Sequence, residues 1–439
     1  NDVVDVGGVA VRPGDIVVAD EDGVVIVPLS VHEEVLDIAQ EREAVEDVIK
    51  ETVETQDRCP SQFYPFKPPV SRESPLGRLL VERLPQSKML ARQYSSSSAA
   101  AADDVHAGNF GTMRAVVVPE TGPASVMQVQ HDVNIPSDLS DGQCLVRNEY
   151  AGLNFIDTYH RGGLYPRELP FIVGQEAGGA VVATTPAAEA AGLRVGDRVA
   201  YSSLGTYAEY SAVDAAKLLP VPEGLGLPEA TACVVQGLTA HYLTTDAHAG
   251  LIQPGQWMLV HAAAGGTGQF AVQMARAQGF KVIGTCSAGK MDIAESLGCD
   301  AVVDYNSENV VERVMEITDG VGVHCALDGV GKSTAESSLD SLAVRGVCVF
   351  FGNASGPVEP VSPLRLIGKS NFVTRPKLLD YTRTPEELRR RAKETFDWVA
   401  DSAVRVSIDR TFALYEAADA HEYIEAGKTT GKVLLDCSR

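Results

Sequence analysis

From Met113 to about Ala232, apolar and polar positions alternate over short runs broken by turns such as Gly196-Asp197-Arg198-Val199. That period of two predicts a series of half-buried β-strands. Further along the pattern changes: short apolar runs alternate with segments of helical spacing to about residue 374, a helical stretch runs from near Pro385 to Val404, and a short strand follows at Lys432 to Leu435. Strand and helix in alternation are the mark of a parallel sheet covered by helices, whereas the strand-rich flanks belong to one β-rich body. The layout predicts two domains, the second inserted into the first.

Residues 1–56 follow another pattern. Short strands are broken by turns at Pro13-Gly14-Asp15 and Glu21-Asp22-Gly23. A helix is expected next, opened by a capping box of Ser30 and Glu33 and continued by an apolar stripe of Val35, Ile38, Ala39, Val45, Val48, Ile49 and Val53. The run from Gly7-Gly8-Val9 through Pro13-Gly14-Asp15 to Asp22-Gly23-Val24-Val25, with the acidic helix behind it, resembles the C-terminal end of the ribonuclease-regulator A and hydroxymethyl-oxoglutarate aldolase-like family. The metal-binding part of that family is not in this segment, so the resemblance implies a β/α fragment and no aldolase activity. A structural part is expected for it, with an oligomerisation or partner-binding module as the alternative. In residues 57–112 Pro, Ser and Ala accumulate and Arg58, Lys67, Arg72, Arg78, Arg83, Lys88 and Arg92 dominate until Asp103 and Asp104. This composition predicts a flexible linker. Its Arg- and Ser-rich stretch from Ser74 to Ser98 looks like a mitochondrial presequence, but lies behind more than 70 residues, where such a signal is inert unless translation or processing begins later.

Composition narrows the function classes. The chain has 45% hydrophobic and 22% charged residues, ordinary for a globular protein, and a formal net charge of -22. Residues 1–56 alone hold fifteen acids against three bases. Such a charge repels phosphate backbones and argues against a general nucleic-acid binder. No apolar run reaches the ~20 residues that span a bilayer, and the expected location is the cytosol, with mitochondria as the alternative if the 57–112 segment acts as a targeting sequence. The eight cysteines are scattered with no C-x-x-C pair, which predicts reduced, mostly buried thiols.

One segment carries specific chemistry. Gln256-Trp-Met-Leu-Val-His-Ala reads as a buried strand, runs into the glycine turn Ala262-Ala263-Ala264-Gly265-Gly266-Thr267-Gly268, and continues from Gln269 to Gln278 with helical periodicity. Glycines let the backbone approach a pyrophosphate, and the free amides at a helix start favour its charge. Lys281-Val-Ile-Gly-Thr supplies the next strand, so the turn is read as a dinucleotide site. Enzymes that use NAD usually end that second strand with an acid for the ribose hydroxyls. Here it ends Gly284-Thr-Cys-Ser-Ala-Gly-Lys290, with Ser287 and Lys290 available for a 2′-phosphate and Tyr305 placed to flank the adenosine. These residues predict NADPH as the cofactor.

With those residues in view, 113–439 resembles the quinone oxidoreductases, the zeta-crystallin-like branch of the medium-chain dehydrogenases/reductases. The motifs are Gly152-Leu-Asn-Phe-Ile-Asp-Thr-Tyr-His-Arg-Gly-Gly-Leu-Tyr-Pro166, Gly174-Gln-Glu-Ala-Gly178, Gly205-Thr-Tyr-Ala-Glu-Tyr210, Gln236-Gly-Leu-Thr-Ala-His-Tyr-Leu243, Phe350-Phe-Gly-Asn-Ala-Ser-Gly356, Val373-Thr-Arg-Pro376 and Lys428-Thr-Thr-Gly-Lys432. Thr267 stands where the turn usually has Val, and the loop between Ser287 and Lys290 is one residue short. The resemblance implies an α/β fold in which a GroES-like catalytic domain (113–237 and 375–439) surrounds an inserted Rossmann domain with a doubly wound parallel sheet (238–374), and it implies a homodimer. It further implies that Asn154, Tyr159 and Tyr165 line the catalytic cleft, and that Thr239, Gly352, Asn353 and Lys432 join the glycine turn in contacting the cofactor. Zinc-dependent relatives carry Cys and His where this chain has Asn154 and Gln175, so chemistry without zinc is expected. The resemblance implies hydride transfer from NADPH to a quinone; reduction of enones or enoyl thioesters, and an NADPH-binding structural role, are the alternatives.

Overall fold

In the computed structural model the described residues are four strands near the N-terminus and everything from residue 111 to residue 439. The chain divides into two compact units, Asn1–Asp104 and Val105–Arg439. In the first, β1 (Val4–Val6) pairs antiparallel with β2 (Val9–Val11), and β3 (Ile16–Asp20) with β4 (Gly23–Val27). The second ladder joins Asp20 to Gly23 across the turn expected at Glu21-Asp22-Gly23. The expected helix after Ser30, the linker and the presequence-like stretch lie outside the described residues, and the family resemblance of residues 1–56 rests on its motif alone.

The second unit is built on two larger sheets. Its β-rich part centres on the long strand β7 (Gln143–Leu153), which pairs antiparallel with β9 (Glu176–Thr184) along one side. On the other side β11 (Tyr210–Asp214) takes the first half of β7 and β20 (Lys432–Asp436) takes the second. Beyond β9 lie β10 (Arg198–Ser202) and β12 (Leu219–Pro220), and beyond β20 lies its parallel partner β19 (Ile408–Ala413). A three-stranded sheet of β5 (Thr112–Val118), β6 (Gln128–Asn134) and β8 (Phe171–Ile172) completes this part.

Between β12 and β19 the chain builds a six-stranded, wholly parallel sheet from β13 (Trp257–Val260), β14 (Lys281–Cys286), β15 (Ala301–Asp304), β16 (Val323–Asp328), β17 (Leu342–Phe350) and β18 (Phe372–Thr374). Their order in space is β15-β14-β13-β16-β17-β18. This is the 3-2-1-4-5-6 order of a dinucleotide-binding sheet, whose crossover point lies beside β13, the strand that feeds the glycine turn. Because both faces are covered by helices, Met258, Leu259, Val260, Val282, Ile283, Ala326 and Leu327 are all buried, which explains the near-continuous apolar runs. The helix after the turn is Gly266–Ala277, three residues longer at its start than its apolar periodicity, because the glycines themselves form the first turn.

Burial of polar residues marks a second seam. Arg391 is 2% exposed on helix Pro385–Ala400 and holds Asp246, Glu387 and the Tyr381 carbonyl, while Tyr242 stacks on Tyr381 with ring centroids 4.4 Å apart. The last long helix is thereby tied to helix Leu238–Thr245, which leads into the parallel sheet. The seven described cysteines are free, six of them buried. Among the described residues no helix is long and apolar enough to cross a membrane.

Candidate active site

Helix Phe155–Gly162 begins where β7 ends, and Asn154 is its N-cap. Asp157, in the first turn, reaches back to the Asn154 backbone N–H at 2.8 Å and also accepts from the Tyr207 hydroxyl at 3.1 Å. An N-cap Asn ordinarily spends its side chain on the helix amides. Here the side chain is diverted. Asn154 Nδ2 donates to Glu176 Oε1 at 2.9 Å and to the Gly152 carbonyl at 3.3 Å, and Asn154 Oδ1 accepts from Lys432 Nζ at 3.0 Å. A carboxylate only accepts and an ammonium only donates, so this amide has a single satisfied orientation.

Glu176 and Lys432 are 0% and 1% exposed and form an ion pair; Lys432 also donates to the Leu153 carbonyl at 3.1 Å. Gly152 makes room for the carboxylate, since a Cβ there would stand 2.1 Å from Glu176 Oε1. The other carboxylate oxygen accepts the Val235 N–H at 2.6 Å from a widened π-type turn, Cys233–Gly237, that precedes helix Leu238–Thr245. Three sheet strands and one helical junction therefore converge on a single buried charge pair. Lys432 was expected to touch the cofactor. Its three protons are instead committed to Glu176, Asn154 and Leu153, so it acts on Asn154. Asp157 sits beside this cluster with Oδ1 unpartnered, and burial pushes its carboxyl up to about 7.

One helical turn on, Tyr159 faces Tyr165 edge-on with ring centroids 5.4 Å apart. Both hydroxyls meet the loop after β17: Tyr159 accepts from the Asn353 N–H at 2.9 Å, and Tyr165 lies 3.0 Å from the Asn353 side chain. The orientation that satisfies this amide turns its oxygen to the Tyr165 hydroxyl and to Arg375 Nη2, and its nitrogen to the Gly352 carbonyl. Tyr159, Tyr165, Gly352 and Asn353 are thus brought together, with Asn154 at the start of the helix that carries Tyr159. Burial pushes the Tyr159 phenol up to about 12, which keeps it protonated at neutral pH.

The glycine turn sits at the C-terminal end of β13, inside the parallel sheet. Ala262 adopts φ 52°, and Gly268 packs so tightly against the turn that a Cβ would lie 2.2 Å from the Ala262 carbonyl oxygen. Ala263 is fully buried, while Gly265, Gly266 and Thr267 open the helix with no acid in its first turn. The first amides of a helix have no intrahelical partner. Two more buried groups lack partners here: Gln236 Oε1, which a Cβ on Gly266 would meet at 2.2 Å, and His261 Nε2. These amides, the missing first-turn acid and the orphaned polar atoms are chemically suited to an anionic, hydrogen-bonding group such as a pyrophosphate. Thr239 lies half-buried at the start of helix Leu238–Thr245.

At the end of β14 no carboxylate appears, and Asp304, on the next strand, is occupied by Ser307 and the Asn306 N–H. Ser287 is half-buried at that strand end and Tyr305 is 53% exposed. Lys290 is not a free surface lysine: its Nζ donates to the carbonyls of Gly427 and Thr429, both at 2.7 Å, which carries the backbone of Lys428 beside it. Of the positions where zinc ligands stand in the zinc-dependent relatives, Asn154 is locked as above, and Gln175 Nε2 donates to Ser202 at 3.4 Å.

Comparison with known proteins follows the same division of the chain. Residues 140–223 match the alcohol dehydrogenase GroES-like domain and residues 266–399 the zinc-binding dehydrogenase family. The chain is 43% identical to a Pseudomonas aeruginosa quinone oxidoreductase over 68% of this chain and 93% of the relative. It is 37% identical to a Burkholderia 2-haloacrylate reductase over 74% and 98%. Among solved structures, Escherichia coli quinone oxidoreductase complexed with NADPH superposes with TM-score 0.70 at 38% identity, over 74% of this chain and 99% of that one. A mycobacterial protein complexed with NADPH superposes equally well at 42% identity, with the same coverage. The fold and cleft are those of a medium-chain dehydrogenase/reductase. Within that class, the chain belongs to the quinone oxidoreductase family.

Glu176, Asp157, Gln236 and Arg375 belong to this region but were not singled out from the sequence. All four lie inside the motifs given above, and the available signal was a polar or charged residue beside a glycine, a proline or a helix start.

Two outcomes follow from the buried cluster. Lys432→Met leaves Glu176 as an uncompensated buried charge and is expected to cost ~3–5 kcal/mol in urea unfolding, part of which Glu176→Gln restores. Asp157 holds its proton in the fold up to about pH 7 but releases it near 3.8 when unfolded, so its contribution is present below 3.8 and lost as pH rises through 7. Asp157→Asn is therefore expected to gain on the wild type between pH 4 and 7 in paired denaturation curves, with no further change above 8.

Proposed function

We propose that the protein is an NADPH-dependent quinone oxidoreductase that works without zinc. The reading is carried by one observation: the ligand position at Asn154 is filled by an amide locked between a buried carboxylate and a buried ammonium. Oxidising an alcohol requires a Lewis acid or equivalent to stabilise the alkoxide. Reducing a quinone requires less, because addition of hydride gives an aromatic hydroquinone anion.

NADPH, when bound, supplies the hydride. The protein holds and orients. The turn at Ala263, Gly265, Gly266, Thr267 and Gly268 would take the pyrophosphate, with Thr239, Gly352 and Asn353 along the rest of the molecule. Ser287, Lys290 and Tyr305 would take the 2′-phosphate end, with Lys428 held beside Lys290 as a further cation. Asn154, fixed by Lys432 and Glu176, retains a lone pair on Oδ1 for a ribose hydroxyl. Tyr159 accepts from the Asn353 N–H and keeps its own proton to donate. Tyr165, half-buried like Tyr159, turns its hydroxyl from Asn353 to the acceptor oxygen when a substrate binds, and the final proton comes from this phenol or from water. Holding a flat acceptor against the reduced ring in a water-poor cleft contributes several kcal/mol of barrier reduction, ~7–11 in the best cases. We assign 113–237 and 375–439 to the catalytic domain and 238–374 to the cofactor domain.

A second reading is reduction of a conjugated carbon–carbon double bond, supported by the 2-haloacrylate reductase relative. NADPH oxidation followed at 340 nm separates the two. Turnover is expected with 1,4-naphthoquinone and 9,10-phenanthrenequinone, with kcat/KM for NADPH at least tenfold above that for NADH. Turnover of a trans-2-enoyl thioester alone would reverse the choice.

A homodimer completes the reading. Among the described residues strand β18 pairs only with β17 and forms the edge of its sheet, and Phe372 and Val373 on it are 46% and 37% exposed, with Leu364 and Ile367 about three-quarters exposed nearby. An apolar edge of this kind is covered in stable proteins, and a second copy presents an identical one. Sedimentation is expected to give a dimer for the wild type and a monomer for Ile367→Lys combined with Val373→Lys.

A further inference from the structure

We propose that Arg375 makes the cleft selective for acceptors that carry an anionic substituent, a carboxylate or sulfonate, next to the reducible carbonyl. The proposal rests on the quinone reductase reading and adds a substrate class to it. Arg375 follows β18 directly and is held in place by Pro376, which is buried, and by donation from Nη1 to the Phe350 carbonyl at 2.9 Å. Its Nη2 lies 3.1 Å from the Tyr165 hydroxyl and, in the satisfied amide orientation, 3.1 Å from the Asn353 oxygen. The guanidinium therefore stands at the same spot as the phenol that meets the acceptor oxygen.

What sets it apart is the absence of a counter-charge. Among the described residues no carboxylate lies within ion-pair distance of Arg375, although acids outnumber bases by 22 in the whole chain. Arg391, on the helix Pro385–Ala400, has two carboxylate partners, and Arg161, on the helix that carries Tyr159, has one. A guanidinium offers five N–H donors in a planar fork that matches a carboxylate or sulfonate; Nη1 spends one and Nη2 two here, which leaves the Nε–H and one Nη1–H for a ligand. Arg375 is also exposed, so an incoming anion reaches it without unpacking the fold. The neutral partners Tyr165 and Asn353 hold the fork toward the cleft without cancelling its charge.

The test compares 1,4-naphthoquinone with 1,4-naphthoquinone-2-sulfonate on the wild type, Arg375→Met and Arg375→Lys. The ratio of kcat/KM, sulfonated over unsubstituted, is expected to fall at least tenfold in Arg375→Met and to recover in part in Arg375→Lys. The KM for the sulfonate is expected to rise with ionic strength in the wild type and to lose that dependence in Arg375→Met. Binding of naphthalene-2-sulfonate, which cannot be reduced, supplies a readout without turnover: calorimetry on the NADPH complex is expected to show at least tenfold weaker binding in Arg375→Met. A ratio and a binding constant unchanged by Arg375→Met would overturn the proposal while leaving quinone reduction intact. Absence of quinone turnover with Arg375-dependent sulfonate binding retained would overturn the quinone reading and leave the anion site standing.

Discussion

The β-rich half of this protein is organised around one pair of charges withdrawn from water. An isolated carboxylate or ammonium in such a place would carry a desolvation penalty of several kcal/mol. Glu176 and Lys432 meet it together, with a backbone amide, a backbone carbonyl and the Asn154 side chain taking up the remaining donors and acceptors. The pair does not act on substrate. Its effect is to leave Asn154 one rotameric and one amide state, and so to give the cleft a fixed polar floor where a metal-dependent relative has a cation.

Around that floor the two sheets divide the work. The parallel sheet delivers a glycine turn and the loop carrying Gly352 and Asn353, and the β-rich part delivers Asn154, Tyr159 and Tyr165. Asn353 donates its N–H to the Tyr159 hydroxyl and accepts from the Tyr165 hydroxyl, which couples the two sides. A shift of the loop after β17 is therefore felt at both phenols. The cleft combines rigid support beneath with a polar, adjustable contact across.

Much of this was legible in the sequence, for stated physical reasons. The strand, turn and helix around Gly265 announce themselves because glycine spacing and helical periodicity are both local, and the absence of an acid at the end of β14 is read from adjacent residues. The gathering of Asn154, Tyr159 and Tyr165 with Asn353 depended on family resemblance, since nearly 200 residues separate them. The side-chain neighbours of Lys432 were hidden for the same reason. The resemblance placed Lys432 among the cofactor contacts, and only the pairing of β20 with β7 shows its side chain turned inward onto Glu176. The side-chain lock on Asn154 was invisible because an Asn at a helix start reads as an ordinary cap.

The pairing of β20 with β7 also sets an order of events during synthesis. Glu176 emerges early, but its cation is 256 positions further along the chain. The whole parallel sheet, from β13 to β18, lies between them and is complete in the chain before β20 is made. Until β20 arrives, Glu176 keeps its hydration and Asn154 is free to cap its own helix. The side-chain arrangement around Asn154 therefore cannot reach its final form until the last strand of the chain has been made.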